Sequence, residues 1–403
     1  MSSQNSQAET GLVQGMDGQE VAPDWPHLRL EELSALLRRY PRLRGARAIL
    51  SHSPRPFSSA SLVATGAGTV FVKRHALAVR GAADLCEEHA FMAHLRGKGI
   101  PVCEVIATAD GRTAVEADGW SYEVHSLAPG EDIYRDLFSW KPFFCTGHAR
   151  EAGAMLARLH CAAEDYSAAP RRSRILVSSF SIFSQAEPMP ALARYLEACP
   201  GATAYLEKFS GWRETFAALL LPLHERLRPF LPLLAPLWTH NDLHASNLTY
   251  GSAGDDALAL GVIDFGLACQ TCALFDLATA IERNAIDWLE MGAAAASARP
   301  GLVHWDQLRA LLDGYHGVRP LAPEEWLALA ELLPLVHVEY ALSELEYFAS
   351  VLHSEPSAAL AYSYLFEHAR WFASPEGSQL LETLRAQADM PLDAPAEALE
   401  PAQ

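Results

Sequence analysis

The stretch Thr239-His240-Asn241-Asp242-Leu243-His244-Ala245-Ser246-Asn247, followed after short apolar runs by Val262-Ile263-Asp264-Phe265-Gly266, decides how the rest of the 403-residue chain is read. Moving a phosphoryl group from a nucleotide needs little covalent help. It needs one carboxylate to aim the attacking hydroxyl and hard oxygen donors to hold a divalent metal against the phosphates. An Asp with an Asn five positions later, and then an Asp in D-F-G behind a β-like run, supplies that set. In this reading Asp242 accepts a hydrogen bond from the hydroxyl and takes its proton late. Asn247 offers an amide oxygen to the metal and Asp264 a carboxylate. Gly266 is expected to let the backbone turn sharply beside it. Either half alone is a weak signal; both in this order, behind a β-rich segment, point to one chemistry. As a loop carboxylate expected at the surface, Asp242 should add little to the core.

Towards the N-terminus, Leu30, Leu33, Leu37 and Tyr40 recur at helical spacing until Pro41. Ser61–Ala64 and Thr69–Val72 flank Thr65-Gly66-Ala67-Gly68 as a hairpin. Asp84–Gly97 reads as a helix, and Thr113–Ala117 and Trp120–Ser126 as two more strands. Lys73 ends the second hairpin strand, where a cation for the nucleotide phosphates belongs. Glu88, on the following helix and preferred over Glu87, is its expected ion-pair partner. No G-x-G-x-x-G loop is present; Ser51–Ser61 stands in its place. Towards the C-terminus the pattern is helical, with Ala152, Met155, Leu156 and Leu159 on one face, a proline-punctuated helical part over 172–236, and helices again from Asp276 to about Thr383. The order is α+β, not alternating βαβ. The expected organisation is a disordered lead over 1–27, a β-rich N-lobe over 28–125, a helical C-lobe with the catalytic loop over 126–384, and a disordered tail over 385–403.

Composition limits the partners. With 50% hydrophobic and 20% charged residues the chain can bury a full core, and a formal net charge of −18 repels nucleic acid and anionic membrane. The most apolar stretch, Ala217–Trp238, is interrupted by His224, Glu225, Arg226, Arg228 and four prolines, so it does not read as a membrane span. Seven scattered cysteines imply reduced thiols and a cytoplasmic location. Cys269 and Cys272 form one C-x-x-C, better read as two small apolar side chains at a packed turn than as zinc ligands.

His240-Asn241-Asp242-Leu243-His244-Ala245-Ser246-Asn247 resembles the H-G-D-L-H-x-x-N motif of the aminoglycoside phosphotransferase and choline kinase superfamily, with Asn241 in place of the usual Gly. Ala152–His160 and Glu88–Leu95 with Gly99-Ile100-Pro101-Val102 are similar to its helices. Ile263–Cys269 and Ala273–Ala278 look most like its homoserine-kinase-like and hydroxylysine-kinase-like members. The resemblance implies a bilobal protein-kinase-like fold, ATP and Mg²⁺ as cofactors, Asp242 as the catalytic aspartate, Asn247 and Asp264 as metal ligands, and Lys73 and Glu88 as the phosphate-binding pair. It implies a hinge over Trp120–Pro129 that meets adenine, and an Asp276 that braces the catalytic loop, although the residues themselves read Asp276 as a helix N-cap. Asn241 is expected to contribute mainly backbone, and His240 to brace the loop rather than act as a base. The implied substrate is a small amino alcohol or hydroxylated amino acid, with an aminoglycoside as a further option. Glu282, Asp287, Glu339 and Tyr340 are possible acceptors for a substrate ammonium but are not counted as site residues. The alternatives are a Ser/Thr protein kinase, which the lack of an A-P-E segment after Gly266 disfavours, and an inactive nucleotide-binding scaffold, which would have lost a metal ligand.

Overall fold

A computed structural model describes residues 12–291 and 301–389. The chain divides into two compact units. One comprises the residues up to Pro129 together with Tyr134–Phe138; the other comprises Gly130–Ile133 and everything from Ser139 on.

The first unit opens with a small hairpin of β1 (Val13–Gln14) and β2 (Glu20–Val21). Residues 12–27 are therefore not the disordered lead expected; residues 1–11 lie outside the described residues. Val13 is buried and the Gln14 N–H donates to the Pro54 carbonyl at 2.8 Å, which ties the segment down. Helix α1 (Leu30–Leu37) and a 3₁₀ turn at Pro41–Leu43 follow. Next come β3 (Ala46–His52), β4 (Ser59–Thr65), β5 (Gly68–Ala76), helix α2 (Ala82–Gly97), β6 (Ala114–Ala117) and β7 (Trp120–His125). The five later strands form one antiparallel sheet in the order β3-β4-β5-β7-β6. Strand alternation sorts its faces. Val70 and Val72 of β5, with Tyr122 and Val124 of β7, join Leu33, Leu36 and Tyr40 in one apolar core. The intervening residues Lys73, His75, Glu123 and His125 point to the opposite face, and His89 of α2 reaches Glu123 there.

The second unit is mostly helical. It contains α3 (Thr146–Ala163), α4 (Pro188–Glu197), α5 (Pro200–Leu206), α6 (Trp212–Leu227), β8 (Leu237–Thr239), β9 (Leu248–Tyr250), β10 (Ala259–Val262), β11 (Cys269–Thr271) and α7 (Ala273–Ala285). After these come α8 (Trp305–Val318), α9 (Pro323–Leu332), α10 (His337–Glu346), α11 (Glu355–Trp371) and α12 (Pro375–Ala386). Residues 385–389 are not the disordered tail expected from 385, since α12 and a 3₁₀ turn carry the fold to Asp389; residues 390–403 lie outside the described residues. Residues 172–187 are not helical as expected. That segment is an irregular run of bends and turns pinned by Glu339, whose carboxylate accepts from the N–H groups of Ser181 and Ile182 at 2.9 and 2.7 Å. The helical run Pro323–Leu352 is long and apolar enough to resemble a membrane span, yet 94% of its most apolar window is buried inside this unit.

Helices α3 and α8 cross at two glycines. A Cβ on Gly153 would lie 1.9 Å from the Leu311 carbonyl oxygen, and one on Gly314 1.9 Å from that of Arg150. Both neighbours are backbone, so the helices themselves would have to separate. Gly153→Ala is expected to lower unfolding free energy by about 2–3 kcal/mol, read as a reduced denaturant midpoint; an unchanged midpoint would show that the crossing is loose.

Candidate active site

Two short antiparallel pairs build the site: β8 with β11, and β9 with β10. The catalytic loop leaves β8 at Thr239 and enters β9 at Leu248. The D-F-G loop leaves β10 at Val262 and enters β11 at Cys269. The ladder extends past β10, with the Ile263 N–H donating to the Asn247 carbonyl at 3.0 Å. That bond sets Asn247 beside the residue preceding Asp264, so the two expected metal ligands arrive from neighbouring strands.

The Asp242 carboxylate is held on both oxygens. Asn247 Nδ2 donates to the Asp242 carbonyl at 2.8 Å and to Oδ2 at 3.1 Å. This fixes the amide so that its own oxygen, Oδ1, points away as an acceptor. Oδ1 of Asp242 pairs with Nη1 of Arg283. The Asp242 side chain is 15% exposed and Arg283 only 3%, which corrects the expectation that Asp242 contributes little to the interior: it is the counter-charge of a buried arginine. Asp264 is exposed, in keeping with a metal ligand. An amide oxygen and a carboxylate are the hard donors a Mg²⁺ ion takes, so the residues present fit the implied ion.

Backbone strain gathers at the same place. Asn241 has φ +60° and Asp264 φ +56°, both in the left-handed region, where Asn and Asp are tolerated better than most residues. Gly266 is not positive in φ, so the sharp turn belongs to Asp264 itself. A Cβ on Gly266 would come within 3.1 Å of Asp264 Oδ1, and its N–H donates to that oxygen at 3.3 Å; smallness is what the position requires. Asn241 also does more than lend backbone. Its Oδ1 accepts from the hydroxyls of Thr239 and Thr271, both at 2.9 Å, and its Nδ2 donates to the Leu267 carbonyl at 3.3 Å. One side chain thus ties the catalytic loop to the D-F-G loop.

Helix α7 braces the loop from beneath. Asp276, wholly buried, accepts from the N–H groups of His240 at 2.9 Å and Asn241 at 2.8 Å, and bonds His160 Nε2 at 3.0 Å. It is no N-cap: Cys272 occupies that position, and the loop-bracing role implied by the resemblance is the observed one. Asn284 accepts from the Ala245 N–H at 2.9 Å and donates to the Leu243 carbonyl at 2.8 Å. Asp276, Arg283 and Asn284 share one face at helical spacing. Arg171 holds the other loop, donating to the Gly266 carbonyl at 2.9 Å. The sequence reading passed over Arg171, Arg283 and Asn284; α7 also carries Thr279 and Glu282, so the polar i, i+7, i+8 set does not stand out.

His240 is excluded as a base by its bonds. Nε2 donates to the Ile263 carbonyl at 3.0 Å and Nδ1 accepts from the Asp242 N–H at 3.2 Å, while burial lowers its pKa. His244 bonds Ser246 through Nδ1 at 2.9 Å, with Nε2 3.8 Å from Asp242 Oδ2. Cys269 and Cys272 are buried, and burial pushes Cys272 up to about 12, so both stay inert thiols. All seven cysteines are free.

In the first unit Lys73 lies on β5 directly opposite Glu123 of β7, and Glu88 is buried on α2. Behind them three histidines converge on Glu123: His75 at 2.9 Å, His89 at 2.8 Å and His125 at 2.9 Å. Burial raises the Glu123 pKa, but the three histidines outweigh it and hold the carboxyl well below the usual range. Burial lowers the His75 pKa, and the hydrogen bond and charge of Glu123 push it back up.

Residues 55–321 match the model of the phosphotransferase enzyme family. The chain belongs to that family. Among similar proteins, the homoserine kinase of Methylobacillus flagellatus is 27% identical over 270 residues, 65% of this chain and 71% of that protein. The homoserine kinase of Methylobacterium radiotolerans is 30% identical over 207 residues, 49% of this chain and 51% of that one, so the match spans about half its length. Among solved structures, a microcompartment-associated aminopropanol kinase covers 83% of this phosphotransferase and 93% of itself at TM-score 0.52 and 19% identity. An amicoumacin kinase in complex with AMP-PNP and Ca²⁺ does so at 83% and 92%, TM-score 0.54 and 14% identity. These last two establish the fold: bilobal, protein-kinase-like α+β, with a small β-rich lobe and a larger helical one.

Proposed function

We propose that this phosphotransferase transfers the γ-phosphate of ATP to a hydroxyl of a small molecule, an amino alcohol or a hydroxylated amino acid, with Mg²⁺ held by Asn247 and Asp264. The supporting observation is the Asp242–Asn247 pair: one side chain fixes the carboxylate while keeping its own oxygen for a metal. Asp242 aims the acceptor hydroxyl and accepts its proton late, as suits a loose transition state in which little charge builds on the nucleophile. When bound, the ion neutralises phosphate charge. Lys73 meets the phosphates and Glu88 orients Lys73. The names of the relatives, homoserine kinase and aminopropanol kinase, agree with a small hydroxyl-bearing amine. Seven free thiols suit a cytoplasmic enzyme.

The test is Mg²⁺-dependent ADP formation against L-homoserine, 3-aminopropan-1-ol, an aminoglycoside set and a Ser/Thr peptide. Phosphorylation of one of the small amines is expected. Turnover of the peptide alone would replace this reading with a protein kinase, and no turnover of any acceptor would replace it with a nucleotide-binding scaffold.

A further inference from the structure

The surroundings of Asp242 carry information about the acceptor, and this inference rests on the reading of Asp242 as the group that aims the hydroxyl. Arg283 is buried beside it, an unusual place for a guanidinium. Its carbon lies over the Trp140 ring at 5.2 Å and the Tyr340 ring at 4.8 Å. Nη1 pairs with Asp242. Nε is buried and has no hydrogen-bond partner among the described residues; the nearest carboxylate on that side, Glu282, stands at 4.0 Å, too far for one.

The other acids nearby do not fill the gap. Burial pushes Glu282 up to about 7 and Glu344 up to about 8, so neither is a full counter-charge at neutral pH. Glu339 and Asp287, candidates for binding a substrate ammonium, are engaged elsewhere. Glu339 accepts from Ser179, Ser181 and Ile182, and Asp287 pairs with Lys141 at 3.2 Å. A fixed cation with unused donors, not an anion, is what lies next to the catalytic carboxylate.

We propose that Arg283 is the acceptor-recognition residue and that it takes a carboxylate, making the substrate a hydroxy acid (a hydroxylated amino acid) rather than an amino alcohol or an aminoglycoside. Any acceptor whose hydroxyl is hydrogen-bonded to Asp242 is held next to this guanidinium. A planar carboxylate matches the guanidinium fork with two parallel N–H···O bonds. The aromatic rings of Trp140 and Tyr340 exclude water and strengthen the pairing. A polycationic acceptor meets a like charge at the same point.

Binding decides it. The full-length protein with Mg²⁺ and a non-hydrolysable ATP analogue is titrated calorimetrically with L-homoserine, its carboxamide and 3-aminopropan-1-ol. L-Homoserine is expected to bind at least about a hundredfold more tightly than either uncharged-end analogue. Arg283→Met is expected to bring it down to their level, and Arg283→Lys to retain part of the preference. Comparable affinity for all three, preference for 3-aminopropan-1-ol, no binding of any, or an Arg283→Met variant that melts like the parent and keeps the ratio would each overturn the assignment. Should Arg283→Met fail to fold, the wild-type ratio alone decides. The two readings fail separately. A hundredfold binding preference without ADP formation from any acceptor removes the kinase reading and leaves the carboxylate site. Rapid turnover of 3-aminopropan-1-ol or an aminoglycoside with no preference for the acid does the reverse.

Discussion

Asp242→Ala is expected to lose about a thousandfold or more in turnover, the range that follows removal of a positioned proton acceptor, while nucleotide binding persists. The geometry adds a second effect. The substitution strips Arg283 of the partner on Nη1 and leaves a guanidinium that is 3% exposed without its counter-charge. Full burial would cost 3–5 kcal/mol on breaking such a pair; Asp242 is itself partly open to water, so about 1–3 kcal/mol is expected. Asp242→Asn keeps the shape and one acceptor oxygen, and should lose activity with a smaller drop in stability. Single-turnover phosphate transfer and a thermal melt on both variants separate the effects. Turnover near the parent's in either would remove Asp242 from its role.

Asp276→Ala is expected to act the other way round, chiefly on the fold. Its carboxylate accepts from two buried backbone N–H groups and from His160, whose Nδ1 in turn bonds the Tyr315 hydroxyl at 2.8 Å. Alanine leaves the two N–H groups and an imidazole unsatisfied in a site without water access, at about 3–5 kcal/mol. Stability of a domain this size is itself about 5–15 kcal/mol, so a large shift in denaturant midpoint should appear, with activity falling because the loop loses its register. Asp276→Asn should recover part of this, since an amide oxygen can still accept from one N–H. A parent-like midpoint for Asp276→Ala would mean that the loop is held by Asn284 and Asn241 instead.

The difference between these residues also explains how much could be read without coordinates. Asp242, Asn247 and Asp264 could be picked out because the chemistry expected of them depends on short spacings along the chain, and the hairpin that carries Lys73 announced itself by alternation around Gly66 and Gly68. Asp276 was half legible: an acid at the start of a helix is the ordinary sign of a cap, and the competing role needs a partner 36 residues away. Arg283 was not legible. An arginine following a glutamate in α7 looks like a solvated face, and its burial comes from α10 and from Trp140, far off in sequence. The same holds for Arg171, which reaches Gly266 across 95 positions. Segment 172–187 misled for a related reason. It mixes serines with apolar residues and lies between helical stretches, and what pins it as an irregular run is Glu339, on a distant helix.

The clamp on the catalytic loop has a consequence for the cost of each reaction cycle. Two backbone N–H groups on Asp276, two further loop groups on Asn284, a side-chain bridge through Asn241 and the Asn247 amide on Asp242 leave this segment few alternative arrangements. In water, a carboxylate that accepts a proton must reorient its solvent shell each time. Here the donors that face the Asp242 carboxylate are already fixed by the fold, so in the role proposed for it no solvent shell has to be ordered to aim the hydroxyl. On the proposed function that ordering is completed once, when the chain folds, and residues that look purely architectural would then share in setting the rate.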